Sequence, residues 1–193
     1  MRFFFRLIFS VVIILLLSLT GFFVSLTVLL FLLVLGSVFF KSFAKKEYCW
    51  VKYLLRFEKS YEAGFAGKRF LLSLLAVITS FVVVGAVNYI LILPAGTIEW
   101  ALILGFVAMG IGNNLVSLVL FLKDKHYCIY GSTLEFFILA GLFNLFLFWL
   151  LGVPLIVAGF ITFSLQIVLI IPWLDYNLVT PLVTAVLYLL LFL

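Results

Sequence analysis

From Leu7 to Phe40 the chain runs for 34 residues without a single charged side chain. No soluble fold hides such a stretch easily, so this run constrains the chain more than any other. As one helix it would be about 50 Å long, against a hydrocarbon core of about 30 Å. Two readings fit. One is a long helix, tilted or kinked, that protrudes from the bilayer. The other is a tight hairpin of two short helices that turns near Ser18, Leu19, Thr20 and Gly21. Arg2 and Arg6 precede the run and Lys41 follows it, which favours the same side for both ends and hence the hairpin. Each arm would then have about 17 residues, the lower limit for a crossing. A secretory signal is a poor fit, because the run is far longer than an h-region and no small-residue cleavage pattern follows it.

The rest of the chain repeats this theme. Hydrophobic residues make up 68% and charged residues 10% of the sequence, outside the balance of soluble domains. The expected fold is all-α, a polytopic transmembrane helical bundle of about 6–7 spans. It comprises two tandem helical hairpins and an interfacial amphipathic helix. A chain of 193 residues leaves no room for a separate soluble catalytic domain. The formal net charge of +5 sits almost entirely in two polar stretches, and its natural partners are anionic lipid head groups rather than nucleic acid. Cys49 and Cys128 fall in those basic stretches, with no CxxC spacing and no disulfide or metal framework.

Five segments follow: an N-terminal membrane segment (1–40), an amphipathic interfacial helix (41–69), a first hairpin (70–126), a second hairpin (127–176) and a C-terminal membrane helix (177–193). In the second segment Phe43, Trp50, Leu54, Phe57, Tyr61 and Phe65 recur at helical spacing, with Lys45, Lys52, Arg56 and Lys59 largely elsewhere. Gly64 and Gly67 are expected to end that helix. Pro94, Ala95 and Gly96 make the first outer turn, with Glu99 and Trp100 at the interface; Gly152, Val153 and Pro154 make the second. Basic residues flank the opposite ends, which places those ends in the cytoplasm. Ser132 and Glu135 have capping-box spacing, and Thr180 and Pro181 read as an N-cap and first helical residue. Beyond Asp175 no charge remains: either the end sits at the far interface or the polypeptide continues.

Two stretches share the pattern F-x-x-x-G-x-x-N: Phe81, Gly85, Asn88 and Phe137, Gly141, Asn144. Gly105-Phe106 and Gly159-Phe160 echo one another further on. Asn88, Asn113, Asn114, Asn144 and Gln166 all fall within apolar spans, where an amide needs a partner and should face the bundle interior. They would either line a polar path or make interhelical hydrogen bonds worth about 1 kcal/mol each. Chemistry has no evident home. His126 has only Asp124 and Cys128 beside it, too few ligands for a metal, and Glu99 and Glu135 fall on opposite faces of the membrane. The chain therefore reads as a non-enzyme without a cofactor.

At its two F-x-x-x-G-x-x-N stretches the chain resembles the GtrA-like family of small polytopic membrane proteins. Phe81, Val84, Gly85 and Asn88 fit the start of the first hairpin in that family; Asn114 followed by Lys123 and Lys125 fits its end, with the basic residues late; Phe137, Gly141 and Asn144 fit the second hairpin. The resemblance covers about residues 69–176. It implies a bacterial inner-membrane protein that translocates or presents a polyprenyl-phosphate-linked sugar for cell-surface polysaccharide assembly. Lys68, Arg69, Lys123 and Lys125 would then hold the lipid phosphate from the cytoplasmic side. The alternative is a non-catalytic subunit of a larger membrane complex, with other membrane proteins or further copies of itself as partners.

Overall fold

The computed structural model describes residues 2–43, 63–94, 96–123, 134–169 and 176–191. Apart from the turns around Pro94 and Pro154, which the sequence reading expects to be the outer turns and which keep that label below, these are all helical, with no strand among them. The helices are α1 (Arg2–Phe43), α2 (Ala63–Leu91), α3 (Thr97–Val107), α4 (Asn114–Lys123), α5 (Leu134–Leu150), α6 (Leu155–Leu169) and α7 (Tyr176–Leu191). A π-helical segment, Ala108–Asn113, joins α3 to α4 without a break in the rod. Three stretches are long and apolar enough to cross a membrane: Leu7–Ser37, Leu74–Leu91 and Thr97–Leu120. The apolar parts of α5, α6 and α7 are shorter. This is the make-up of an integral membrane protein. The amphipathic helix expected over 41–69 falls largely on residues outside the described ones, as do Cys49, Lys125, His126 and Cys128.

The rod α3–π–α4 is the axis of the bundle. Of its membrane-length window 78% is buried, against 22% for α1 and 33% for α2. Helix α7 packs chiefly on α3 and α2, and α1 packs on α2, α3, the π segment and α4. Helices α5 and α6 form a hairpin that meets the axis through the π segment and α4. Val116 and Leu120 of α4 pack with Ala140 of α5, flanked by Phe136 and Phe143, so α4 and α5 run antiparallel.

Close approach, more than burial of oil, holds such helices together, because lipid is as apolar as a leucine side chain. Gly105 of α3 lies under the backbone of Pro181 in α7; a Cβ there would stand 2.6 Å from the Pro181 carbonyl oxygen. Gly85 of α2 leaves room for the Phe22 ring of α1. That ring stacks on Phe81 at 5.6 Å, and Phe81 meets Phe106 at 6.2 Å. Three buried rings thus link α1, α2 and α3.

Two sequence expectations are corrected here. Gly64 and Gly67 do not end a helix: α2 starts at Ala63 and runs through both. A helical glycine costs about 1 kcal/mol relative to alanine, a cost that a 29-residue helix with a packed face absorbs. Pro181 does not open α7 either; the helix begins at Tyr176 and contains it. Proline forgoes one intrahelical bond, and here its backbone lies directly against Gly105.

The long apolar run is one continuous helical stretch broken at Gly21 (φ 75°, ψ 179°), a backbone conformation that favours glycine. Each side of the break has its own buried stripe at helical spacing: Ser10, Ile13 and Leu17 before it, Phe22, Ser25 and Leu29 after it. Outward-facing hydroxyls are satisfied within the helix. Ser18, Thr20 and Thr27 donate to the carbonyls of Ile14, Leu16 and Phe23, which suits side chains that face lipid.

Both outer turns end their first helix with the same bond pattern. Ile92 and Leu93 donate to the carbonyls of Tyr89 and Asn88; Gly152 and Val153 donate to those of Trp149 and Phe148. Each is a Schellman cap, whose C′ residue must be left-handed. Gly152 (φ 81°) meets that demand freely, whereas the β-branched Ile92 (φ 53°) meets it under strain.

Candidate functional site: a buried amide pair at the π segment

The π segment Ala-Met-Gly-Ile-Gly-Asn contains two glycines and ends at Asn113, with Asn114 next. Glycines there let a neighbouring helix come close. Asn144 of α5 uses that space: a Cβ on Gly112 would clash with its Oδ1. Seated on Gly112, Asn144 donates from Nδ2 to Oδ1 of Asn113 at 2.7 Å. Both residues are fully buried, Asn114 nearly so, and Ser117 donates to the Asn113 carbonyl at 2.8 Å. The pair lies about 24 Å along the axis from Thr97, nearer the Lys123 end than the outer turns.

The pairing uses one donor and one acceptor of the two amides. Asn113 Nδ2 and Asn144 Oδ1 have no partner among the described residues. One turn earlier in α5, Gly141 faces Thr162 and Gln166 of α6, whose side-chain polar atoms are likewise buried without partners among the described residues. A polar seam therefore crosses from the axis through α5 to α6. Chemically it can hold hydrogen-bonding groups or water; its side chains are amides and a threonine hydroxyl. Among the described residues no three His, Cys, Asp or Glu side chains group as metal ligands.

Not all of the predicted residues meet. Asn113, Asn114 and Asn144 gather at the π segment, and Gln166 lies at the far side of the seam. Asn88 lies elsewhere: it belongs to the last turn of α2, where with Tyr89, Ile90, Ile92 and Leu93 it lines a shallow depression beside the outer turn. Its Oδ1 is buried without a partner among the described residues. The two matching sequence stretches thus have different surroundings. Gly85 accommodates an aromatic ring while Gly141 faces a polar pair; Gly105 is under α7 while Gly159 has nothing within 4 Å. Helix α1 covers the first hairpin alone, whereas α7 packs on both, against α2 and α3 and against α6. Lys68 and Arg69 fall in the first two turns of α2, and Lys123 is the last residue of α4, all at the end away from the outer turns. Lys125 is outside the described residues.

Sequence reasoning missed two features. The π segment leaves no periodicity signal, though paired glycines before Asn-Asn in an apolar span mark a place for close contact. The role of Glu99 was also missed: from the first turn of α3 its Oε1 accepts the Phe22 amide of α1 at 3.3 Å.

No protein-family model matches this chain, and no curated protein or solved structure matches it either.

Proposed function

We propose that this chain is a non-catalytic subunit of a larger membrane assembly, crossing the membrane six or seven times with its basic helix ends in the cytoplasm. A bacterial inner membrane fits that orientation. The Asn113–Asn144 bond carries the reading. Two of the five amides that could have lined a path, Asn113 and Asn144, instead join the two hairpins, Asn144 seated on a glycine. A polar group spent on helix contact serves architecture, and such bonds specify partners within a bundle.

A second reading has its own support. Lys68, Arg69 and Lys123 sit at one end of the bundle, within two helices that both pack on α1. Cationic residues clustered at one membrane face suit a lipid phosphate. On this reading the chain presents or translocates a polyprenyl-phosphate-linked sugar, as the GtrA-like resemblance implies.

Purification in nanodiscs from the native membrane, with mass spectrometry of bound protein and lipid, separates the two. A stoichiometric membrane-protein partner that is retained equally in a K68Q/R69Q/K123Q variant supports the subunit reading. A chain that purifies alone with polyprenyl phosphate, and loses it in that variant, overturns the subunit reading and supports presentation.

A further inference from the structure

Glu99 is the only acidic residue described at the outer-turn end, and it sits between two helix N-termini. One is its own: Gly96 precedes α3 and Glu99 lies in the first turn. The other belongs to the second arm of α1, which starts just after the break at Gly21. There Oε1 accepts the Phe22 amide at 3.3 Å, and a Cβ on Gly21 would stand 3.8 Å from the same oxygen. A carboxylate at a helix N-terminus satisfies orphan amides and opposes the helix dipole. Here the carboxylate bonds an amide of the second arm of α1 alone; at the start of its own helix it makes no capping bond and acts only on the dipole.

We infer that Glu99 is a clasp that holds the long apolar run as a re-entrant hairpin, so that both ends of α1 emerge at the basic face. The break lies against the first turn of α3, at the outer-turn end of the bundle. From that level the axis, α2 and the α5–α6 hairpin all extend in one direction. Ile13 and Leu17 on one arm and Leu29 on the other are almost fully buried. An arm that continued past the turn would have nothing among the described residues to bury them against. The arms have 19 and 22 residues, about 28 and 33 Å, enough for a crossing each. Serine and threonine finish the turn: Ser25 donates to the Gly21 carbonyl at 2.6 Å and meets Thr20 Oγ1 at 3.2 Å. Glu99 acts as a positioning residue. Bonded at the break, it ties the N-terminal segment to the central helix.

The inference rests on the membrane reading above and is independent of the choice between partner protein and lipid phosphate. It is tested in sealed vesicles with the full chain carrying C49S and C128S, and single cysteines at Arg2, Lys41, Ile92 or Lys123. A membrane-impermeant maleimide is the probe. The expected pattern is Arg2→Cys, Lys41→Cys and Lys123→Cys modified from one side and Ile92→Cys from the other. If Ile92→Cys and Lys123→Cys react from the same side, the membrane orientation fails. If those two differ but Arg2→Cys and Lys41→Cys react from opposite sides, only the hairpin is overturned. The clasp itself is read by hydrogen exchange in nanodiscs. E99A should speed exchange around Phe22 about tenfold, as a charge-assisted bond is lost, and leave α5 unchanged. Unchanged exchange at Phe22, or equal loosening of α5, overturns the clasp. Should E99A fail to accumulate, E99Q, which keeps an acceptor oxygen but no charge, should give a smaller acceleration confined to the same segment; no acceleration there overturns the clasp.

Discussion

Ile92 and Gly152 occupy the same position in the same cap, and only one of them is suited to it. A left-handed conformation costs an L-residue roughly 1–2 kcal/mol, and a β-branched side chain fits it worst. Ile92→Gly should therefore raise the stability of the chain by about 1 kcal/mol in thermal melts in detergent, after the entropy of an added glycine is set against the relieved strain. Gly152→Ile should do the opposite. At the amide pair the same kind of accounting applies in reverse. Asn113 and Asn144 are both fully buried, so removing either strands the other. A double-mutant cycle with N113A and N144A should return a coupling of about 0.6 kcal/mol, the average for interhelical bonds in membranes, and no more than about 1.7 kcal/mol. A coupling near zero would mean that the two amides do not hold the hairpins together. Gly112→Ala probes the same place from the other side: its Cβ would clash with Asn144 Oδ1 and should abolish the coupling.

Between elements, close contacts are unevenly shared. Gly105 and Gly159 have the same residue after them, and their positions looked alike in the sequence. Gly105→Ala would drive a Cβ into the Pro181 backbone, where no flexible side chain can give way. We expect it to cost about 2 kcal/mol or more in thermal melts. Gly159→Ala has open space and should be neutral, or slightly stabilising from the better helix propensity of alanine. Equal effects at the two sites would mean that α3 and α7 are not in contact as described. The helices themselves were plain from hydropathy, and so were the turns at Pro94 and Pro154. Their ends were not. Gly64, Gly67 and Pro181 carry the usual stop and start signals, and α2 and α7 run through them because packing along the whole helix outweighs one unfavourable residue.

At the scale of the whole molecule, α1 is not an appendage. Its Phe22 ring covers Gly85 and stacks on Phe81, and its two stripes close the core. Deleting residues 1–43 should expose Phe81, Phe106 and the faces of α2 and α3. We expect the shortened chain to lose its monodisperse peak in size-exclusion chromatography. A shortened chain that stays monodisperse with an unchanged melting temperature would show that α1 is dispensable to the bundle. The outer faces are apolar all the way round: Phe23 is 80% exposed and Ile156 88%. In water such surfaces would aggregate, and in a bilayer they are the normal solvent boundary.

The sequence by itself determined that the chain is helical and built for a membrane, because a long uncharged run needs only composition and length to be recognised. It also pointed to glycine and asparagine as the residues worth attention. What those residues do was decided by tertiary structure alone. Gly21 became a break because Glu99, far along the chain, caps the helix that follows it. Asn144 met Asn113 rather than its apparent counterpart Asn88, because α5 packs on the π segment while Asn88 lies at the outer turn. The two F-x-x-x-G-x-x-N stretches diverged because one is covered by α1 and α7 and the other packs between the π segment and α6. A local pattern fixes which face a residue occupies; which helix comes to that face depends on contacts between residues far apart in the chain.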